Sequence, residues 1–94
     1  MIQVVAKAKV KEEMKESYLE KAFELIESTR NEEGCLSYEL FQDIKDPGIF
    51  TFIEKWEDMD HLERHFNTEH FRRIVPLLKD MRLSSDLNIY SLVK

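Results

Sequence analysis

Phe50, Phe52, Glu54 and Trp56 stand at alternate positions, so in an extended chain all four side chains leave the same face. Three are large aromatics. The fourth is a carboxyl group, and an apolar face holds one only if it is satisfied there. The stretch is therefore a strand with one buried face. Asp46-Pro47-Gly48 just before it is a strong turn signal, because proline presets φ and glycine tolerates positive φ. Residues 35–43 alternate as well: Leu36, Tyr38, Leu40 and Gln42 fall on one face, Cys35, Ser37, Glu39, Phe41 and Asp43 on the other. Strands over 35–43 and 49–57 are predicted to pair as an antiparallel hairpin with a loop of about five residues.

The rest of the chain supplies partners for that hairpin. Residues 2–10 alternate, with Ile2, Val4, Ala6, Ala8 and Val10 on one face. The two alanines leave room either for a tightly packed helix or for a ligand. Residues 12–32 carry Met14, Tyr18, Ala22, Leu25, Ile26 and Thr29 at helical spacing, widened by Leu19 and Phe23, and Gly34 ends the segment. A short helix is predicted over 59–67, capped by Asp58 or Asp60. A second is predicted over 69–81, opened by Thr68 and kinked or cut by Pro76. Residues 86–93 alternate weakly and read as a last strand. The order β-α-β-β-α-β, with the second helix broken, is a ferredoxin-like α+β arrangement with helices on one sheet face. A symmetric homodimer would cover the other face.

Ninety-four residues make one domain, 1–94. The net charge of −5 and the lack of a Lys/Arg cluster with interleaved aromatics speak against nucleic acid. No apolar run approaches the ~20 residues of a membrane span, and the N-terminus lacks the form of a signal peptide. The single cysteine, Cys35, fits a reducing cytoplasm. With two glycines and no Gly-rich phosphate loop, no cofactor is expected.

All three histidines, His61, His65 and His70, follow Glu54 within sixteen residues. His61 and His65 are four apart, as zinc ligands on a helix can be, with His70 and Glu54 or Cys35 to complete a set. The flanks carry no metal-site signature, so no metal is expected. His61 is placed outside. His65 borders the interior. His70 lies in a first helical turn, where the dipole favours the neutral imidazole that a general base requires. Either of the latter two can be the base or a packing residue. Glu54 can orient an imidazole or receive a phenol; alternatively, its aromatic face forms the dimer interface and Glu54 pairs with the partner. Trp56, Phe52, Phe50, Phe71 and Tyr38 are candidate walls for a flat substrate.

Glu32-Glu33-Gly34-Cys35 followed by Tyr38, Ile53-Glu54-Lys55-Trp56-Glu57, His61-Leu62-Glu63-Arg64-His65 and Thr68-Glu69-His70 together resemble the antibiotic-biosynthesis monooxygenase family, nearest to its small bacterial quinol monooxygenases. The resemblance implies a dimeric α+β barrel with one pocket per subunit. It also implies oxidation of a small aromatic or quinol-like substrate by dioxygen without metal, flavin or heme, with His65, His70 and Glu54 as catalytic candidates. Other branches degrade heme or isomerise a phosphorylated sugar-like compound. The heme branch carries a first-strand asparagine and a later histidine that this chain lacks. An isomerase of a small carbonyl compound, with Arg72, Arg73 or Lys55 anchoring any phosphate, and a non-catalytic ligand-binding stress protein are the alternatives.

Overall fold

A computed structural model describes residues 1–94. Strand β1 (Ile2–Val10) leads through one 3-10 turn (Glu12–Met14) into helix α1 (Lys15–Thr29). Strands β2 (Cys35–Gln42) and β3 (Ile49–Trp56) form the hairpin. Helices α2 (Met59–Phe66) and α3 (Glu69–Asp80) follow, and strand β4 (Arg82–Ser91) closes the chain. The sheet is antiparallel throughout in the order β2-β3-β1-β4, the ferredoxin-like topology expected. No helix is long and apolar enough to cross a membrane.

The core lies between the sheet and the helices. Phe50, Phe52, Glu54 and Trp56 are all buried there, beside Val4, Ala8 and Val10 of β1 and Tyr18, Ala22, Leu25 and Ile26 of α1. The aromatic face of β3 is thus covered within one chain, and the alternative that it forms a subunit interface does not hold. Leu62, Ile74 and Leu78 close the core from above.

Four sequence expectations need correction. The helix over 12–32 begins as a 3-10 turn and ends at Thr29, leaving Met14 and Phe23 exposed. Strand β2 carries a bulge: Cys35 pairs with Trp56 and Ser37 with Lys55, so Leu36 is extra. The bulge turns Leu36 to solvent and brings Cys35 onto the same side as Tyr38, against the alternation. Pro76 sits inside an uninterrupted α3 and does not cut it; the break between the two helices lies at Asn67–Thr68, where the Thr68 cap was expected. The last strand starts at Arg82, and the helical layer stops short of it. Leu87 and Ile89 pair with Ala6 and Val4 and so share the helix-side face, yet they remain 55% and 42% exposed.

Candidate active site

The break between α2 and α3 builds the site. Asp58 caps α2 by accepting from the His61 backbone N–H, and Thr68 caps α3 by accepting from Phe71. The Thr68 hydroxyl also donates to the His65 carbonyl at 2.8 Å, tying the two helices together. On one continuous helix, side chains five residues apart would diverge by about 140°. The break instead places the His65 and His70 rings 6.3 Å apart.

Both rings are fixed by one acid that follows α1. Glu32 Oε2 lies 2.8 Å from His65 Nδ1 and 2.6 Å from His70 Nε2. The Glu32 N–H bonds the Thr29 carbonyl in the turn after the helix, and this turn aims the side chain at α2 and α3. An ionised carboxylate only accepts, so each of these ring nitrogens carries a proton. Neutral His65 is thereby held as the tautomer whose Nε2 is a free lone pair. Its ring is 1% exposed and boxed by Trp56 at 4.7 Å, Phe71 at 4.9 Å, Tyr38 at 5.5 Å and Phe66 at 5.9 Å between centroids. Burial, opposed by the Glu32 carboxylate, holds the His65 imidazolium below the ordinary histidine pKa, so the ring is neutral at pH 7.

Glu32, His65 and His70 are also the set whose ligand atoms converge closely enough for a metal ion. Bonds of about 2.0–2.1 Å would, however, set neighbouring ligand atoms at least ~3 Å apart. The separations of 2.6 and 2.8 Å are those of charge-assisted hydrogen bonds. The geometry is that of a proton network.

His65 and Glu54 line an apolar cavity of about 220 Å³ between sheet and helices. Phe52, Tyr38, Phe71, Phe66, Val75 and Ala6 form its walls, so Ala6 leaves space for a ligand while Ala8 is packed. Glu54 is buried and accepts from the Trp56 indole N–H at 3.0 Å. Burial is the main reason its carboxyl is pushed up to about 7. Tyr38 is pushed well above the usual phenol range, first by burial and then by Glu54 and Glu32. The Cys35 thiol is pushed up to about 11 by burial and the same two acids, so it is no nucleophile at neutral pH.

Of the eight residues singled out in the sequence, His65, Glu54, Phe52, Phe71 and Tyr38 line the cavity. Phe50 and Trp56 do not: Phe50 packs against Tyr18, and Trp56 lies behind His65. His70 reaches the site only through Glu32. Glu54 holds an indole and no imidazole; the acid that orients the imidazoles is Glu32, which sequence reasoning missed. Its signal was its place at the head of the Glu32-Glu33-Gly34-Cys35 motif, two residues before Gly34, whose φ is +84°. His61 is not outside. Its ring bonds Asp58 and lies so close to Gly34 that a Cβ there would overlap it.

Comparison with known proteins agrees with this architecture. The sequence pattern described as "Antibiotic biosynthesis monooxygenase" matches residues 1–77. A Bacillus subtilis (strain 168) protein named "Putative monooxygenase YcnE" is 36% identical over 89 residues, spanning 95% of this chain and 93% of that one. A crystal structure of an antibiotic biosynthesis monooxygenase superposes with a TM-score of 0.94 at 41% identity, covering all of both chains. A conserved protein from Methanosarcina mazei Go1 gives 0.93 at 39% identity, covering 95% of this chain and 89% of the other.

Proposed function

The chain belongs to the antibiotic biosynthesis monooxygenase family, and on that premise we propose that it oxidises a phenolic or quinol-like substrate with dioxygen inside the His65 cavity, without a cofactor. One observation carries the reading: a buried imidazole, bonded to Glu32 through Nδ1, lines an apolar cavity.

His65 Nε2 takes the phenolic proton, and the imidazolium formed is stabilised by the Glu32 carboxylate 2.8 Å from Nδ1. Glu32 is shared with His70, which keeps it aimed. The phenolate pushes electron density onto an ortho or para ring carbon that bears a hydrogen. That carbon reduces dioxygen and forms a C–O bond, and the peroxide picks up the proton held by His65. The hydroperoxide then loses its C–H proton and its distal oxygen as water, leaving a carbonyl. The substrate supplies all four electrons: one oxygen atom enters the quinone and the other leaves as water. The dry aromatic walls orient the ring and keep water from the intermediate. Glu54, poised near 7, is placed to donate a hydrogen bond to the developing carbonyl.

The same reading makes the protein a homodimer, because Leu87 and Ile89 of β4 are large, exposed and uncovered by the helical layer on the helix side of the sheet, and Tyr90 is exposed on the other. The test is oxygen uptake with a panel of naphthols and hydroquinones. One quinone per dioxygen, no released hydrogen peroxide, and loss of turnover in His65→Gln are expected. An isomerase built on the Glu54 and His65 pair would instead exchange a substrate C–H with solvent and consume no oxygen.

A further inference from the structure

The cavity is polarised along its length. At one end stand His65 and Glu54. At the other, Lys79 and Arg82 line the same walls. Helix α3 runs beside the cavity and contributes Phe71, Val75, Leu78 and Lys79. From Phe71, which touches His65, to Lys79 is eight residues, roughly 12 Å of helix at 1.5 Å each. The sheet gives the same axis. Glu54 is level with Val4 of β1, and Arg82 is level with Val10.

Neither cation at that end is engaged by the protein. The chain's eight ion pairs all involve other residues. The basic residues that the sequence offered as anchors are occupied or elsewhere. Arg72 bonds Asn67, Arg73 bonds Glu24 and Glu69, and exposed Lys55 alternates away from Glu54 on β3. Buried Tyr18 joins the mouth, lining the cavity within the field of Arg82. A protein of net charge −5 thus keeps two unpaired cations at the end of an apolar slot. A neutral substrate would leave them without a role in that slot.

We infer that the substrate is an elongated aromatic hydroxy compound carrying an anionic group at the end remote from its reacting hydroxyl, the anion being held by Lys79 and Arg82 and the hydroxyl by His65 and Glu54. This rests on the reading of the cavity as the place where a phenol is deprotonated, and it names the class of phenol. Held at both ends, the ring presents one carbon to dioxygen, so the cations act as positioning residues.

The test is calorimetric binding of 6-hydroxy-2-naphthoate and of its methyl ester, which is its neutral counterpart with one added methyl, to the intact protein. The carboxylate is expected to bind at least about tenfold tighter, corresponding to one charge-assisted contact, and the gap should narrow as salt is raised. Arg82→Gln and the more exposed Lys79→Gln should each weaken the carboxylate several-fold and leave the ester within about twofold. Equal affinities, failure of the carboxylate to bind, or a preference that survives in the double variant would overturn the inference. Binding is read without turnover. If both compounds bind as expected and neither consumes oxygen, the oxygenase reading fails and the anion preference stands.

Discussion

Replacing Glu54 by glutamine should make the protein more stable in mild alkali. The carboxyl group ordinarily titrates at 4.5, and in the native state it is held up to about 7, chiefly by burial. Between these values the folded protein keeps a proton that the unfolded chain has released. Stability therefore falls as pH rises through this window, and the loss persists above it. The raised pKa corresponds to on the order of 3 kcal/mol in total, of which about 2–3 kcal/mol develops between pH 5 and 8. A glutamine has no proton to lose, and its carbonyl oxygen can still accept the Trp56 indole N–H that Glu54 now accepts. His65 acts in the opposite sense: its pKa is lowered on folding, so it adds stability as pH rises toward its unfolded value of 6.5. That contribution is common to both proteins and cancels in their difference. The assay is urea denaturation of wild type and Glu54→Gln at pH 5, 6, 7 and 8. The variant should gain on wild type with each step up to pH 7 and then level off, ending about 2–3 kcal/mol ahead of its pH 5 position. Parallel stability curves would mean that Glu54 is ionised in the native protein, and the dry cavity would go with it.

Glu32→Gln should cut oxygen uptake by roughly ten- to a hundredfold at pH 7, because the imidazolium of His65 loses a charge-assisted hydrogen bond worth about 1.5–3 kcal/mol; steady-state rates check this. Trp56→Ala removes a side chain that is 0% exposed and should cost about 3–5 kcal/mol in chemical denaturation. Gly34→Ala combines a φ of +84° with overlap onto the His61 ring and should lower the melting temperature measurably. Sedimentation should give a dimer at micromolar concentration, and Leu87→Lys should shift it toward monomer.

The fold was legible where residue size and period agree. Phe50, Phe52, Glu54 and Trp56 could share only one buried face, and the Asp46-Pro47-Gly48 turn forced β2 beside β3. The bulge at Leu36 was hidden because an apolar residue there preserves a false alternation. Phe23 was hidden because helical spacing marks a stripe without saying how wide its cover is. In the site, His65 was legible from its position three residues after Leu62 on an amphipathic turn. Glu32 was not, since a turn has no periodicity and the contact spans 33 residues of sequence. Lys79 and Arg82 stand in no sequence pattern that marks a site. Only the antiparallel register with β1 puts them at the far end of the cavity from Glu54.

The most direct test of His65 as the base is the pH dependence of oxygen uptake with a substrate that turns over. Wild type should rise with pH through an ionisation below 6.5, the sense in which burial moves the His65 imidazole, and decline again as the donor Glu54 ionises near 7. Glu54→Gln should keep that rising limb, since it removes only the ionisation near 7. His65→Gln, which leaves Glu32 a partner, should lose both the limb and most of the rate. A His65→Gln enzyme with the wild-type rate and profile would contradict the account.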